Sequence, residues 1–98
     1  MSLAVVFRPA AEQELREAHA WYEERHPGLG EAFLTEVDSA VGRIRESPEL
    51  YAEVHGPIRR ALVHRFPYGL FYIVEPDRLC VLAVFHGRRD PNIWQRRR

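Results

Sequence analysis

The sequence predicts an α+β fold: an N-terminal strand, a two-helix hairpin and a three-stranded antiparallel meander, forming one sheet with the helices packed on one face. Three observations lead there. From Arg59 to Arg89 the chain reads RRALVHRFPYGLFYIVEPDRLCVLAVFHGRR, a run alternating arginine or histidine with apolar residues and then two runs rich in Val, Ile, Tyr and Phe, with turn residues between them. Upstream lie two apolar stripes at helical spacing, parted by Pro27, Gly28 and Gly30. At 98 residues and 46% apolar content, the chain suits a single domain spanning 1–98 with one core and little room for a second site.

Each element follows from local pattern. Leu3 to Arg8 reads as a short opening strand, and Pro9 sits where a first helical turn tolerates proline, with Glu12 and Glu14 near the positive end of the helix. Ala11, Leu15, Ala18 and Tyr22 form the first stripe, widened by Trp21. Leu29, Phe33, Val37, Ala40, Val41 and Ile44 form the second, which ends before Pro48. Trp21, Tyr22 and Phe33 are expected in the core of the hairpin. Pro48 to Pro57 reads as a loop, with two prolines and a glycine and no sustained periodicity.

Counting by twos through Ile58 to Phe66 sends Arg60, Leu62, His64 and Phe66 to one face and Arg59, Ala61, Val63 and Arg65 to the other. Pro67, Tyr68 and Gly69 bend that strand into Leu70 to Glu75, and Glu75-Pro76-Asp77-Arg78 makes the next turn. In the last strand the same count places Leu79, Val81, Ala83 and Phe85 together, opposite Cys80, Leu82, Val84 and His86. With both faces apolar, this strand is expected to be central and to neighbour the first strand. The tail from Gly87 to Arg98 is expected as a loop or short helix lying over the sheet.

Charge is distributed unevenly. The net charge is zero, yet Met1 to His55 carries 5 arginines against 11 acids and Gly56 to Arg98 carries 9 against 3. All 14 basic residues are arginine, a planar and permanently charged fork that suits carboxylate or phosphate. Arg59, Arg60, Arg65, Arg88 and Arg89 are therefore expected to bind an anionic partner rather than merely protect a sheet edge. The lone Cys80 falls within an apolar strand, so a packed thiol is expected. No apolar run spans a membrane and the N-terminus lacks a leader pattern, which leaves the cytoplasm as the expected location. The histidines show no ligand spacing, so neither metal nor cofactor is expected.

The segments WYEERHPGLGEAF, Ser47-Pro48, RRALVHRFPYGLFY and VLAVFHGRRDPNIW, in this order and spacing, resemble the RelE/ParE toxins of type II toxin-antitoxin modules, also called plasmid stabilisation proteins. The resemblance covers nearly the whole chain and lies nearer ParE than RelE. It implies a growth-inhibiting toxin neutralised by a cognate antitoxin whose disordered or amphipathic segment folds across it.

The resemblance also implies two possible chemistries. ParE-like members act on DNA gyrase; RelE-like members cleave mRNA on the ribosome without metal. Cleavage requires a proton-transfer group and cations on the phosphate, roles open to His86, Arg65 and Arg88 if the chain is an endoribonuclease. This chain departs from the nuclease pattern at Gly69, where an arginine is expected, and at Trp94, where a hydroxyl is expected. Gyrase is therefore the first expectation, with ribosome-dependent cleavage second and a non-toxic antitoxin-binding member third. Trp94 joins the five arginines as an expected partner-binding residue.

Overall fold

The computed structural model describes residues 3–97 and contains eight elements: β1 (Ala4–Phe7), α1 (Pro9–Arg25), α2 (Leu29–Glu46), β2 (Glu53–His55), β3 (Ile58–Leu62), β4 (Tyr68–Val74), β5 (Arg78–His86) and α3 (Asn92–Gln95). The strands form one sheet in the order β1-β5-β4-β3-β2. β1 runs parallel to β5, which places β5 next to the first strand as its two apolar faces require, while the remaining pairs are antiparallel.

Local chemistry explains the hairpin. Pro9 opens α1 from the extended Arg8, where its missing N–H costs nothing. Gly28 turns the chain at φ 90°, and the Glu23 carboxylate accepts the N–H groups of Gly28 at 2.9 Å and Gly30 at 3.0 Å. Those bonds, the Gly28 bond foremost, hold the Glu23 carboxyl below its usual range. At Gly30 the helices come so close that a Cβ would lie 2.7 Å from the His19 carbonyl oxygen. From α2, Phe33, Val37, Ala40 and Ile44 are buried against α1 and one sheet face.

Two apolar layers result. The helix-side layer joins Ala11, Ala18 and the α2 stripe to Ala61, Val63, Leu70, Tyr72, Leu79, Val81 and Val84. On the opposite face Ile58, Phe71, Cys80, Leu82, Ala83 and Phe85 pack with Trp94. α3 covers this second face, with the Trp94 ring stacked on Phe71 at 4.1 Å and 23°. The tail is thus a short helix over the sheet; Arg98 lies outside the described residues.

Four expectations are corrected. First, the face assignment in β5 reverses after Leu82, because Phe71 pairs with Ala83 while Tyr72 pairs with Val81, leaving Leu82 as a β-bulge. The extra residue sends Ala83 and Phe85 to the α3 side and Val84 to the helix side. Second, β3 stops at Leu62: Arg65 has φ 73° and sits in the turn to β4, so period-two counting ends before it. Third, the segment read as a loop contains β2, which is exposed throughout and pairs irregularly with β3. Fourth, Trp21 is 50% exposed, its ring covered by the Arg25 guanidinium at 3.6 Å, whereas Phe33 is fully buried.

Candidate partner-binding site

One end of the sheet gathers most of the expected functional side chains. The turn from Val63 to Pro67 and the turn after β5 meet there, because Gly87 N–H donates to the Pro67 carbonyl at 2.9 Å. His86 closes β5 with its ring edge-on to Tyr68 at 5.3 Å. Backbone N–H of Arg88 donates to His86 Nδ1 at 3.0 Å, which fixes Nδ1 as the acceptor and leaves the ring proton on Nε2. Burial pushes up the phenols of Tyr68 and Tyr22, so both remain protonated at neutral pH.

A groove of about 390 Å³ opens between α1 and this end of β5, lined by Glu17, Ala18, Trp21, Tyr22, Tyr68 and His86 among others. Its floor is organised by Glu14, the one buried charged residue described, only 9% exposed. Glu14 takes both terminal nitrogens of Arg97 at 2.9 Å and the N–H of Val84 at 3.0 Å. Arg97 also donates to the carbonyl of the bulged Leu82 at 3.0 Å. The pair thereby ties α1, the bulge and the C-terminal tail together. The sequence sets Glu14 near the positive end of the helix, and its spacing of three from Ala11 and four from Ala18 puts it on the buried stripe, but no local pattern names its partners Arg97 and Val84.

The six expected partner-binding residues have different environments. Arg59 is turned inward, donating to the carbonyls of Tyr51 at 2.6 Å and Glu49 at 3.1 Å, and so staples the segment before β2. Arg60 lies on the α3 side, and its stem crosses Gly69, where an added Cβ would sit 3.2 Å from Arg60 Cγ. Arg65 pairs with Glu36 of α2 at 3.8 Å. Arg88 is exposed. Arg89 lies over the Phe85 ring at 4.3 Å, with its nearest nitrogen 4.0 Å from Glu14. Trp94 is buried against Phe71.

The three residues considered for RNA cleavage divide between surfaces. His86 lines the helix-side groove, whereas Arg65 lines a second concavity of about 450 Å³ with Arg60, Leu62, His64, Phe71 and Phe85. Arg88 belongs to the lining of neither. Cys80 is buried and accepts a bond from Arg8 Nε at 3.1 Å. Among the described residues no cluster of three or more His, Cys, Asp or Glu is arranged to hold a metal, and no helix is long and apolar enough to cross a membrane.

Comparison with known proteins agrees with this architecture. The family model for the ParE toxin of the type II toxin-antitoxin system, parDE, matches residues 5–91. Toxin ParE2 of Mycobacterium tuberculosis, from strains CDC 1551 / Oshkosh and ATCC 25618 / H37Rv, is 28% identical over 82 residues, covering 83% of this chain and 78% of the relative. A solved structure of the chromosomal ParDE TA system from P. aeruginosa superposes with a TM-score of 0.76 at 12% identity, over 87% of this chain and 96% of that one. The last likeness speaks to the fold alone.

Proposed function

The chain belongs to the ParE toxin family of type II toxin-antitoxin systems, and on that premise we propose that it inhibits growth by acting on DNA gyrase and is neutralised by a cognate antitoxin. The observation that carries gyrase over RNA cleavage is the setting of His86. Its Nδ1 lone pair is occupied by the Arg88 N–H, so the ring has no free base nitrogen, and its groove is not the one that Arg65 lines. A proton-transfer group and its phosphate clamp must act on one reacting centre about 3 Å from each. Trp94, packed on Phe71, offers no hydroxyl in place of the missing one.

One observation favours the runner-up reading. The stem of Arg60 drapes over Gly69, the strand position where the nuclease pattern expects a cation. The two readings separate in a paired assay. Under the first, purified protein blocks gyrase supercoiling and traps cleaved DNA while leaving ribosome-bound mRNA intact. Codon-dependent cuts in that mRNA, suppressed roughly 100-fold or more by His86→Gln, would replace it with the second. If inducing soluble, folded protein leaves growth normal, both give way to a non-toxic antitoxin-binding role.

A further inference from the structure

The turn between β3 and β4 is strained and yet firmly held. Across it Val63 N–H donates to the Tyr68 carbonyl at 2.9 Å, while Arg43 of α2 donates to the Leu62 carbonyl at 2.7 Å and Gly87 N–H holds the Pro67 carbonyl. Within the turn Arg65 sits at φ 73°, where the Cβ of an L-residue crowds the following carbonyl oxygen. Glycine or asparagine would occupy this position at less cost. The arginine side chain instead stands 64% exposed, and its nearest carboxylate among the described residues is Glu36 at 3.8 Å. Strain that surrounding bonds hold in place, beneath an exposed charge, points to a residue kept for what it touches outside the fold.

Arg65 borders the concavity of about 450 Å³ on the α3 side of the sheet. Arg60, also exposed, borders it too, and no carboxylate of the described residues lines it. Leu62 follows Arg60 on the same strand face and is 58% exposed, a bare aliphatic surface beside two cations. The aromatic rings nearby are already engaged. Phe71 is buried under Trp94 and Phe85 under Arg89, while Phe66 and Tyr68 meet Phe33 on the helix side at 5.2 and 5.1 Å. With its rings so engaged, this face lacks the stacking platforms by which single-stranded nucleic acid is held. Its complement is an aliphatic side chain flanked by carboxylates.

We propose that this face grips gyrase itself, through an acidic surface segment of that enzyme that carries an aliphatic side chain. The inference rests on the gyrase reading above and adds the face that makes the contact. The aliphatic side chain lies against Leu62 and the stem of Arg60, which crosses Gly69, and the carboxylates beside it take the guanidinium groups of Arg60 and Arg65. Glu36 yields Arg65 readily, because an ion pair this long and this exposed contributes little. Charge complementarity selects the occupant. A second copy docked face to face would set these same arginines against one another.

The test titrates the wild-type chain, Arg65→Gly and Leu62→Asp into a gyrase supercoiling reaction and measures the Kd of each for purified gyrase. Glycine removes the cation and the strain together, so Arg65→Gly should melt at or above the wild-type temperature while its half-inhibitory concentration and Kd rise about tenfold or more. Leu62→Asp, at an exposed position, should keep the wild-type amide spectrum and lose at least as much affinity; should it fail to fold, Arg65→Gly decides alone. Folded variants that inhibit gyrase as the wild type does overturn the assignment and leave the gyrase reading intact. A wild-type chain that neither binds nor inhibits gyrase overturns both. Variants that weaken antitoxin binding alone would give the face to the antitoxin, and shifts of the Leu62 and His64 amides with single-stranded RNA but not with gyrase would give it to RNA; either result overturns the proposal.

Discussion

Replacing Glu14 by alanine should damage this fold more than any other single carboxylate change. The side chain is 9% exposed and receives two bonds from Arg97 and one from Val84 N–H. Truncation leaves the Val84 N–H without its acceptor, which costs about 1–3 kcal/mol when no water replaces it. It also strips Arg97 of its carboxylate. Breaking one side of a fully buried pair costs about 3–5 kcal/mol, but Arg97 is 23% exposed and can turn towards water, which reduces that figure.

The net expectation for Glu14→Ala is about 2–4 kcal/mol. For a domain of this size that corresponds to a fall in Tm of roughly 10–25 °C. Arg97→Ala should cost less, about 1–2 kcal/mol, because Glu14 keeps its bond to Val84 and Arg89 lies only 4.0 Å away. Glu12→Ala, which breaks the exposed pair to Arg16 at 3.7 Å, should change stability by no more than about 0.5 kcal/mol. Urea denaturation followed by circular dichroism ranks the three variants. If Glu14→Ala matches Glu12→Ala, the claim that Glu14 anchors the bulge and tail is refuted.

Gly30→Ala should destabilise the hairpin by about 1–3 kcal/mol, because its Cβ would meet the His19 backbone at 2.7 Å; a Tm equal to wild type would show that the helices separate freely. Trp94→Ala should cost about 2–4 kcal/mol through lost stacking on Phe71, checked by denaturation, and an effect below about 0.5 kcal/mol would mean that α3 does not close the sheet. Burial pushes the Tyr72 phenol up to about 12, where its hydroxyl donates to the Pro48 carbonyl at 2.6 Å. The unfolded chain therefore loses that proton first, so this contribution to stability is complete below about pH 10 and disappears as pH rises towards 12. Tyr72→Phe should flatten the decline in an alkaline titration of stability; an unchanged slope would contradict the assignment.

Much of the architecture was readable from short-range pattern. The stripe Phe33, Val37, Ala40, Ile44 repeats at helical spacing because one α2 face is buried, and the apolar character of both faces of β5 follows from its position between β1 and β4. Long-range causes were not readable. The bulge at Leu82 is held by Glu14 and Arg97, residues distant in sequence, and a period-two count passes through it without notice. β2 is three exposed residues whose extended form depends on β3 rather than on their own pattern. The arginines show the same limit. Composition identified their concentration in the second half, but only the fold distinguishes Arg59, spent on backbone carbonyls, from Arg60 and Arg88, which have no carboxylate partner among the described residues.

The central claim, that this family member acts through gyrase rather than by cutting RNA, is tested most directly by titrating the purified chain into a gyrase supercoiling reaction. In parallel, the same preparation is added to translating ribosomes with a labelled mRNA. The account predicts loss of supercoiling with accumulation of gyrase-cleaved DNA, and full-length message. Unimpaired supercoiling together with cuts at defined codons would contradict it.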